Sequence, residues 1–151
     1  MFCKILFEVQ TLIKIAHRGN IKGPNKKLEN NPEYVLKAIA AGYEAEIDVW
    51  YVDGHFFLGH DDPVYIVEPS FLLNKKFWCH AKNIQALEQL IKLEAHCFWH
   101  EEDDCTLTSK GFIWTYPGKE LTETSVCVMP SDNSYKFANC YGVCSDYIED
   151  I

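Results

Sequence analysis

Residues 31–52 read NPEYVLKAIAAGYEAEIDVWYV, and this stretch carries the signals of a helix followed by those of a strand. Asn31 is a typical helix cap, Pro32 suits the first helical position, and the apolar residues that follow keep helical spacing until Gly42. The run Ala45–Val52 is rich in apolar and aromatic residues and is typical of a strand. A helix that leads directly into a strand favours an α/β architecture.

The same kinds of signal recur on both sides of this stretch. The run Leu12–Ala16 predicts a strand before the helix, and strand, helix, strand in that order implies a right-handed parallel crossover. After Val52, the pair Asp53-Gly54 indicates a tight turn into a returning arm at Phe56–Leu58. A second helix is predicted after the capping residue Asn83. The remaining apolar runs are Phe77–Ala81, Cys97–Trp99, Phe112–Thr115, Val126–Met129 and Val143–Ser145.

These elements predict an α/β fold, namely a trimmed, irregular (β/α) barrel of the TIM type with about seven short parallel strands and few helices. A full eight-unit barrel takes roughly 250 residues. This chain has 151, so helices or strands must be missing. An open parallel sheet is the alternative. We expect one barrel domain over residues 12–151 and an N-terminal extension over residues 1–11 whose structure the pattern does not define.

Charge and cysteine content limit the classes of function. A net charge of -8 argues against a nucleic-acid partner, and a small anionic substrate would need a metal ion or a few placed cations. The seven cysteines are odd in number and lack a C-x-x-C pair, which favours a reducing, cytoplasmic location. Residues 1–12 are too polar and too few for a signal segment or a membrane span, so no stable membrane insertion is expected.

Two acids in the central strand are the first candidates for chemistry. Glu46 and Asp48 are two residues apart, so on a strand both carboxylates point to the same face, away from Ile47. Two neighbouring acids repel each other inside a protein unless a cation lies between them. Oxygen ligands suit Mg²⁺ or Ca²⁺ better than zinc. The alternative interpretation is a solvent-exposed polar strand face.

Two histidines and an arginine follow the neighbouring strands. His17 ends the first strand and His60 follows the hairpin, at the edge where parallel α/β folds place their sites. Two imidazoles can serve as acid and base in phosphodiester cleavage. Arg18 is the one arginine among 14 basic residues, and its fork of donors suits a phosphate.

Spaced motifs across residues 15–61 resemble the signature of the glycerophosphodiester phosphodiesterases, a family within the phospholipase-C-like phosphodiesterase superfamily. The elements that carry the resemblance are Ile15-Ala16-His17-Arg18-Gly19, Glu29-Asn30, Glu46-Ile47-Asp48-Val49, Asp53-Gly54 and His60-Asp61. The late segment Cys144-Ser145-Asp146-Tyr147 resembles the closing strand of the family. The chain would be a short form of this α/β barrel family.

The resemblance implies a role for each member of the main set. His17 and His60 would be the catalytic acid–base pair. Glu46 and Asp48 would bind a divalent metal, and Arg18 would contact the substrate phosphate.

Further roles follow from the same resemblance. Glu29 and Asn30 would be supporting polar residues, and Lys82 would bind the phosphate. Relatives have an acid where this chain has His80. Either His80 ligates the metal, or a water or another acid such as Glu101 takes that place.

The leading hypothesis is therefore a metal-dependent phosphodiester hydrolase that cleaves a glycerophosphodiester, or a related small phosphodiester, to an alcohol and a phosphomonoester. One alternative is phospholipase D-like headgroup cleavage of lysolipids. Another is a non-catalytic barrel that binds a phosphorylated ligand. The missing helices also suggest a homodimer that covers exposed sheet edges.

Overall fold

Over residues 11–136 and 139–151, which the computed structural model describes, the chain forms ten β-strands and two α-helices. In chain order these are β1 (Ile13–His17), α1 (Pro32–Ala40), β2 (Glu44–Val52), β3 (His55–Leu58), β4 (Tyr65–Val67), β5 (Phe77–Ala81), α2 (Ile84–Lys92), β6 (Cys97–Phe98), β7 (Cys105–Leu107), β8 (Ile113–Thr115), β9 (Ser125–Val128) and β10 (Gly142–Ser145). Short 3-10 turns lie at Pro69–Leu73, Ser134–Lys136 and Ile148–Asp150. Apart from Thr11, the extension expected at residues 1–11 lies outside the described residues.

Seven strands form one parallel run in the order β6, β5, β2, β1, β10, β9, β8. The other three pair antiparallel, β3 with β2, β4 with β3 and β7 with β8. The long strand β2 is the branch point, because its first half lies between β1 and β5 while its end forms the hairpin with β3. The sheet is therefore mixed and curls into a half-barrel.

Both predicted helices are confirmed, and their caps explain where they begin. The side chain of Asn31 accepts hydrogen bonds from the first backbone N–H groups of α1, and Asn83 does the same for α2. Asn83 also donates to the carbonyl of Tyr51, which ties the start of α2 to β2. Neither helix in the described part of the chain is long and apolar enough to cross a membrane.

The two faces of the sheet bury different side chains. On the convex face, Ala45, Ile47 and Val49 of β2 pack in a core with residues of α1 and α2. On the concave face, large aromatic side chains fill the inside of the curl. The buried members of that inner core are Ile15, Trp78, Phe98, Trp114, Val126, Val128 and Cys144. Because strand residues alternate, Glu46 and Asp48 lie on this concave side.

The predicted TIM-type barrel of alternating strands and helices is wrong. Such a barrel needs a helix after almost every strand to return the chain along the outside. The connections over residues 116–124 and 129–141 contain no α-helix among their described residues, and β7 returns antiparallel instead. Within the described ranges, no ladder joins β6 to β8, so strand pairing does not close the sheet. The structure also differs from an open sheet of parallel strands alone.

Acid should weaken this fold partly through His96, which precedes β6. Its ring lies 4.1 Å from that of Trp78 and its Nε2 lies 2.9 Å from Thr108 Oγ1. Burial, helped by Lys110, lowers the pKa of His96 from its ordinary 6.5 to about 4. The unfolded chain therefore takes up this proton first, and stability falls as pH drops from about 6.5 to 4, by about 2 kcal/mol once solvent screening of the half-buried ring is allowed for.

Urea unfolding of the parent, His96→Gln and His55→Gln proteins at pH 7 and pH 4 tests this prediction. We expect the loss of unfolding free energy between the two pH values to be smaller in His96→Gln. The exposed His55 serves as the matched control and should leave the parent loss unchanged. An equal loss in His96→Gln and parent would contradict the prediction.

Candidate functional site

The carboxyl ends of the neighbouring strands β10, β1, β2 and β5 meet at one edge of the concave face. The sheet register places His17 beside Glu46 and Asp48 beside His80. These ends border a cavity of about 540 Å³. The predicted site residues among its lining are His17, Arg18, Glu46, His60, His80 and Lys82. The fold thus brings together residues that are far apart in the sequence.

Three side chains at this edge form a cluster that could hold a metal ion: Glu46, Asp48 and His80. The two acids are 2% and 0% exposed. Nδ1 of His80 lies 3.2 Å from Oδ1 of Asp48 and 3.8 Å from Oε1 of Glu46, and one ligand atom from each residue lies within 4.8 Å of the others. Oδ1 of Asp48 is buried without a hydrogen-bond donor. A buried carboxylate oxygen in this state fits a cation ligand.

Cationic and amide groups surround Asp48 on its other sides. Asn30 Nδ2 donates to Oδ2 of Asp48 at 2.9 Å, and Arg18 Nε lies 3.2 Å from the same oxygen. Lys82 Nζ lies 3.7 Å from Oδ1. Burial alone would raise the pKa of Asp48, but the imidazole of His80 and the Arg18 guanidinium outweigh it and lower the pKa. Asp48 is therefore a carboxylate at neutral pH.

Glu46 responds differently to the same surroundings. Burial raises its pKa, and the neighbouring charge of Asp48 raises it further, against the opposing effect of His17. Oε2 of Glu46 accepts a hydrogen bond from the backbone N–H of Arg18 at 3.2 Å. An additional cation between Glu46 and Asp48 would relieve the repulsion that raises this pKa.

His17 is held in place by Asp146, which follows the neighbouring strand β10. Its Nδ1 lies 2.7 Å from Oδ1 of Asp146, and its Nε2 lies 3.8 Å from Oε2 of Glu46. Burial lowers the pKa of His17, but the hydrogen bond to Asp146 and the charge of Glu46 outweigh burial and raise it overall. The same contact lowers the pKa of Asp146 despite burial. Asp146 thus orients the ring and keeps its Nε2 toward the cavity.

Asn20 joins two parts of the site that would otherwise be separate. It is 0% exposed, and its Nδ2 donates to Oε1 of Glu29 at 3.0 Å and to Oδ1 of Asp146 at 2.8 Å. Its Oδ1 accepts from the hydroxyl of Tyr34 at 3.1 Å. The sequence analysis did not select Asn20, and it saw Asp146 only in the closing-strand resemblance. The one signal for Asn20 is its position three residues after His17.

Two tight turns position Arg18 and its neighbours Glu29 and Asn30. Arg18 and Asn30 both have left-handed backbone conformations, with φ of 54° and 62°. The N–H of Asn30 donates to the carbonyl of Arg18 at 3.1 Å, and Nη1 of Arg18 donates to Oε2 of Glu29 at 3.2 Å. Left-handed non-glycine residues carry a conformational cost that surrounding contacts must offset. Glu29 and Asn30 therefore lie beside Arg18 and Asp48.

His60 and Glu101 lie at the rim of the cavity rather than among the buried acids. His60 is exposed, and its Nδ1 lies 2.8 Å from Oδ1 of Asp61. Glu101 is also exposed, although it lines the same cavity. Of the two residues considered for the third metal ligand, the structure places His80 in the cluster with Glu46 and Asp48.

One wall of the cavity is aromatic. The ring of His100 stacks on that of Tyr116 at 3.8 Å, and Nδ1 of His100 is buried without a hydrogen-bond partner. Burial and the nearby His80 lower the pKa of His100. Tyr116 and Trp114 also line the cavity, so both belong to a pocket wall as well as to the packed interior.

Comparison with known proteins returns no match of any of three kinds. No family model matches the chain, no curated protein matches it, and no solved structure matches it. The class that the fold and site define is a curled, mixed-sheet domain with a buried carboxylate–imidazole cluster at the carboxyl edge of its parallel strands.

Replacing Asp146 by asparagine should lower the pKa of His17. The amide lacks the negative charge that favours the imidazolium, so the pKa should fall and burial should then dominate it. The measurement is a histidine NMR titration of parent, Asp146→Asn and Asp150→Asn proteins. Asp150 is exposed, and its variant should titrate like the parent. A His17 titration that is unchanged in Asp146→Asn would show that the contact does not set its pKa.

Proposed function

We propose that this chain is a metal-dependent phosphodiesterase that cleaves a glycerophosphodiester, or a related small phosphodiester, to an alcohol and a phosphomonoester. The supporting observation is the juxtaposition of opposite charges in one cavity. Buried acids that suit a cation lie within contact distance of the fixed cations Arg18 and Lys82, which suit an anion. In a chain of net charge -8, such local cations are what an anionic substrate requires.

Binding of the phosphodiester would use both kinds of charge. Arg18 and Lys82 would hold the nonbridging phosphate oxygens, since both line the cavity and are anchored by Asp48. A divalent cation on Glu46, Asp48 and His80 would polarise the phosphoryl oxygen and lower the pKa of a coordinated hydroxyl. The carboxylate oxygens accept Mg²⁺ or Ca²⁺, and the imidazole of His80 admits other divalent ions as well.

Proton transfer would involve the two histidines. His17, with Nδ1 bonded to Asp146, presents Nε2 as the base that takes the proton from the attacking hydroxyl. The hydroxyl oxygen forms a bond to phosphorus, and the bond from phosphorus to the leaving alcohol breaks. His60 at the rim would donate the proton that the leaving alkoxide takes up. If the substrate's own hydroxyl attacks, as the family resemblance implies, a cyclic phosphate forms first and water then opens it.

Hydrolysis assays on the intact chain test this proposal. Glycerophosphocholine and a chromogenic phosphodiester are incubated with added divalent ions, and a chelator control is run beside them. We expect His17→Ala and Asp48→Asn proteins, checked for folding by circular dichroism, to lose at least about 100-fold in kcat/KM. His55→Ala removes an exposed histidine of β3 and should retain parent activity.

The outcomes separate catalysis from binding. Parent-like rates in folded His17→Ala and Asp48→Asn proteins would overturn the assignment of the site. If the parent bound the phosphodiesters in a way that depends on Arg18 but released no alcohol, a non-catalytic domain that binds a phosphorylated ligand would replace the enzyme.

A further inference from the structure

The orientation of His80 bears on which metal the cluster would take. Its Nε2 lies 3.3 Å from the backbone carbonyl oxygen of His100. A carbonyl oxygen accepts but cannot donate, so Nε2 must carry a hydrogen. The other nitrogen, Nδ1, is the one directed at Asp48 and Glu46, at 3.2 and 3.8 Å.

Nδ1 of His80 points at two buried carboxylates, so this position can hold either a hydrogen that Nδ1 donates to Asp48 or a metal ion that takes the place of that hydrogen. Three electron-rich atoms within 4.8 Å of one another are unfavourable unless a positive charge lies between them. Donation of the outer ring nitrogen to a backbone carbonyl is the usual arrangement for a metal-ligating histidine. The ring is also fixed, because it stacks on Phe98 with 5.1 Å between centroids and 9° between planes. His80 is therefore preorganised as a nitrogen ligand.

We propose that the cluster selects a nitrogen-accepting first-row ion, with Zn²⁺ foremost, over Mg²⁺ and Ca²⁺. The inference rests on the metal site of the proposed function and names its cation. Mg²⁺ and Ca²⁺ take oxygen ligands, whereas one imidazole with two carboxylates is a donor set that Zn²⁺ accepts. Three protein ligands also leave a position for a substrate or water oxygen, as catalytic zinc sites do.

The neighbouring cations do not alter this selectivity. Lys82 and Arg18 lie 3.7 and 3.2 Å from the oxygens of Asp48, so they weaken the binding of every divalent ion. Their repulsion depends on charge, which Zn²⁺, Mg²⁺ and Ca²⁺ share. The difference between these ions therefore comes from the ligand atom that His80 supplies.

Calorimetric titration of the chelator-treated full chain with Zn²⁺, Mg²⁺ and Ca²⁺ tests the inference without relying on activity. Every protein compared carries serine in place of the exposed Cys105 and of Cys3, which lies outside the described residues, because thiols would bind zinc elsewhere. We expect Zn²⁺ to bind the parent at least roughly 100-fold more tightly than Mg²⁺.

Two substitutions at position 80 sharpen the test. His80→Glu supplies a third carboxylate, and we expect it to weaken Zn²⁺ binding by at least roughly tenfold and to strengthen Mg²⁺ binding. His80→Gln removes the imidazole without adding charge and covers the case in which the glutamate variant does not fold. His96→Gln, which removes a histidine outside the cluster, should bind like the parent.

Co²⁺ provides a spectroscopic readout of the ligand itself. Its visible bands in the parent should change in His80→Gln and remain in His96→Gln. Parent affinity for Mg²⁺ or Ca²⁺ equal to that for Zn²⁺, or zinc binding indifferent to position 80, would overturn the inference. Hydrolysis supported by Mg²⁺ alone would then leave the proposed function standing. Tight, His80-dependent zinc binding without hydrolysis under any ion would instead reject the function and keep the metal assignment.

Discussion

The electrostatic repulsion between two buried carboxylates on one strand governs the arrangement of this end of the molecule. Glu46 and Asp48 lie on the concave side of β2 because strand residues alternate, and both are almost fully removed from solvent there. Nearby positive and donor groups offset this charge. The side chains of Arg18 and Lys82 pair with Asp48, and the backbone N–H of Arg18 donates to Glu46. The positions of the turns that carry these groups follow from the need to meet buried oxygens.

A second chain of contacts connects this charge to the first strand. Arg18 donates to Glu29, Glu29 accepts from Asn20, Asn20 also donates to Asp146, and Asp146 orients His17. Each link is buried or partly buried, so removal of one member leaves a polar group without its partner. Asn20 does not line the cavity. A substitution there should nevertheless disturb the positions of both the Arg18 guanidinium and the His17 imidazole, through Glu29 and Asp146.

Local signals sufficed for the elements and for part of the site. The caps at Asn31 and Asn83 and the alternation in β2 are short-range features, and the corresponding helices and strand formed as predicted. The clustering of Glu46 and Asp48 followed from spacing of two residues on a strand.

Long-range pairing was not predictable in the same way. Nothing in the short run Cys105–Leu107 indicates that it pairs antiparallel with β8, and that pairing is what replaces a barrel unit. Asn20 was missed for a related reason, because a polar residue in a loop has no periodicity to reveal its burial. Its role depends on Asp146, which is 126 residues away in the chain.

Strand pairing does not close the sheet in the described part of the chain, so other contacts must hold the curvature of the edge that carries the site. Aromatic packing inside the curl supplies them. The ring centroids of Trp78 in β5 and Trp114 in β8 lie 5.7 Å apart, and those of Phe98 in β6 and Trp114 lie 4.7 Å apart. These contacts link strands that no ladder joins, and aromatic pairs stabilise by about 1 kcal/mol beyond their burial. His80 follows Trp78 on the same face and stacks on Phe98, so the packing that holds the curl also fixes the orientation of the imidazole.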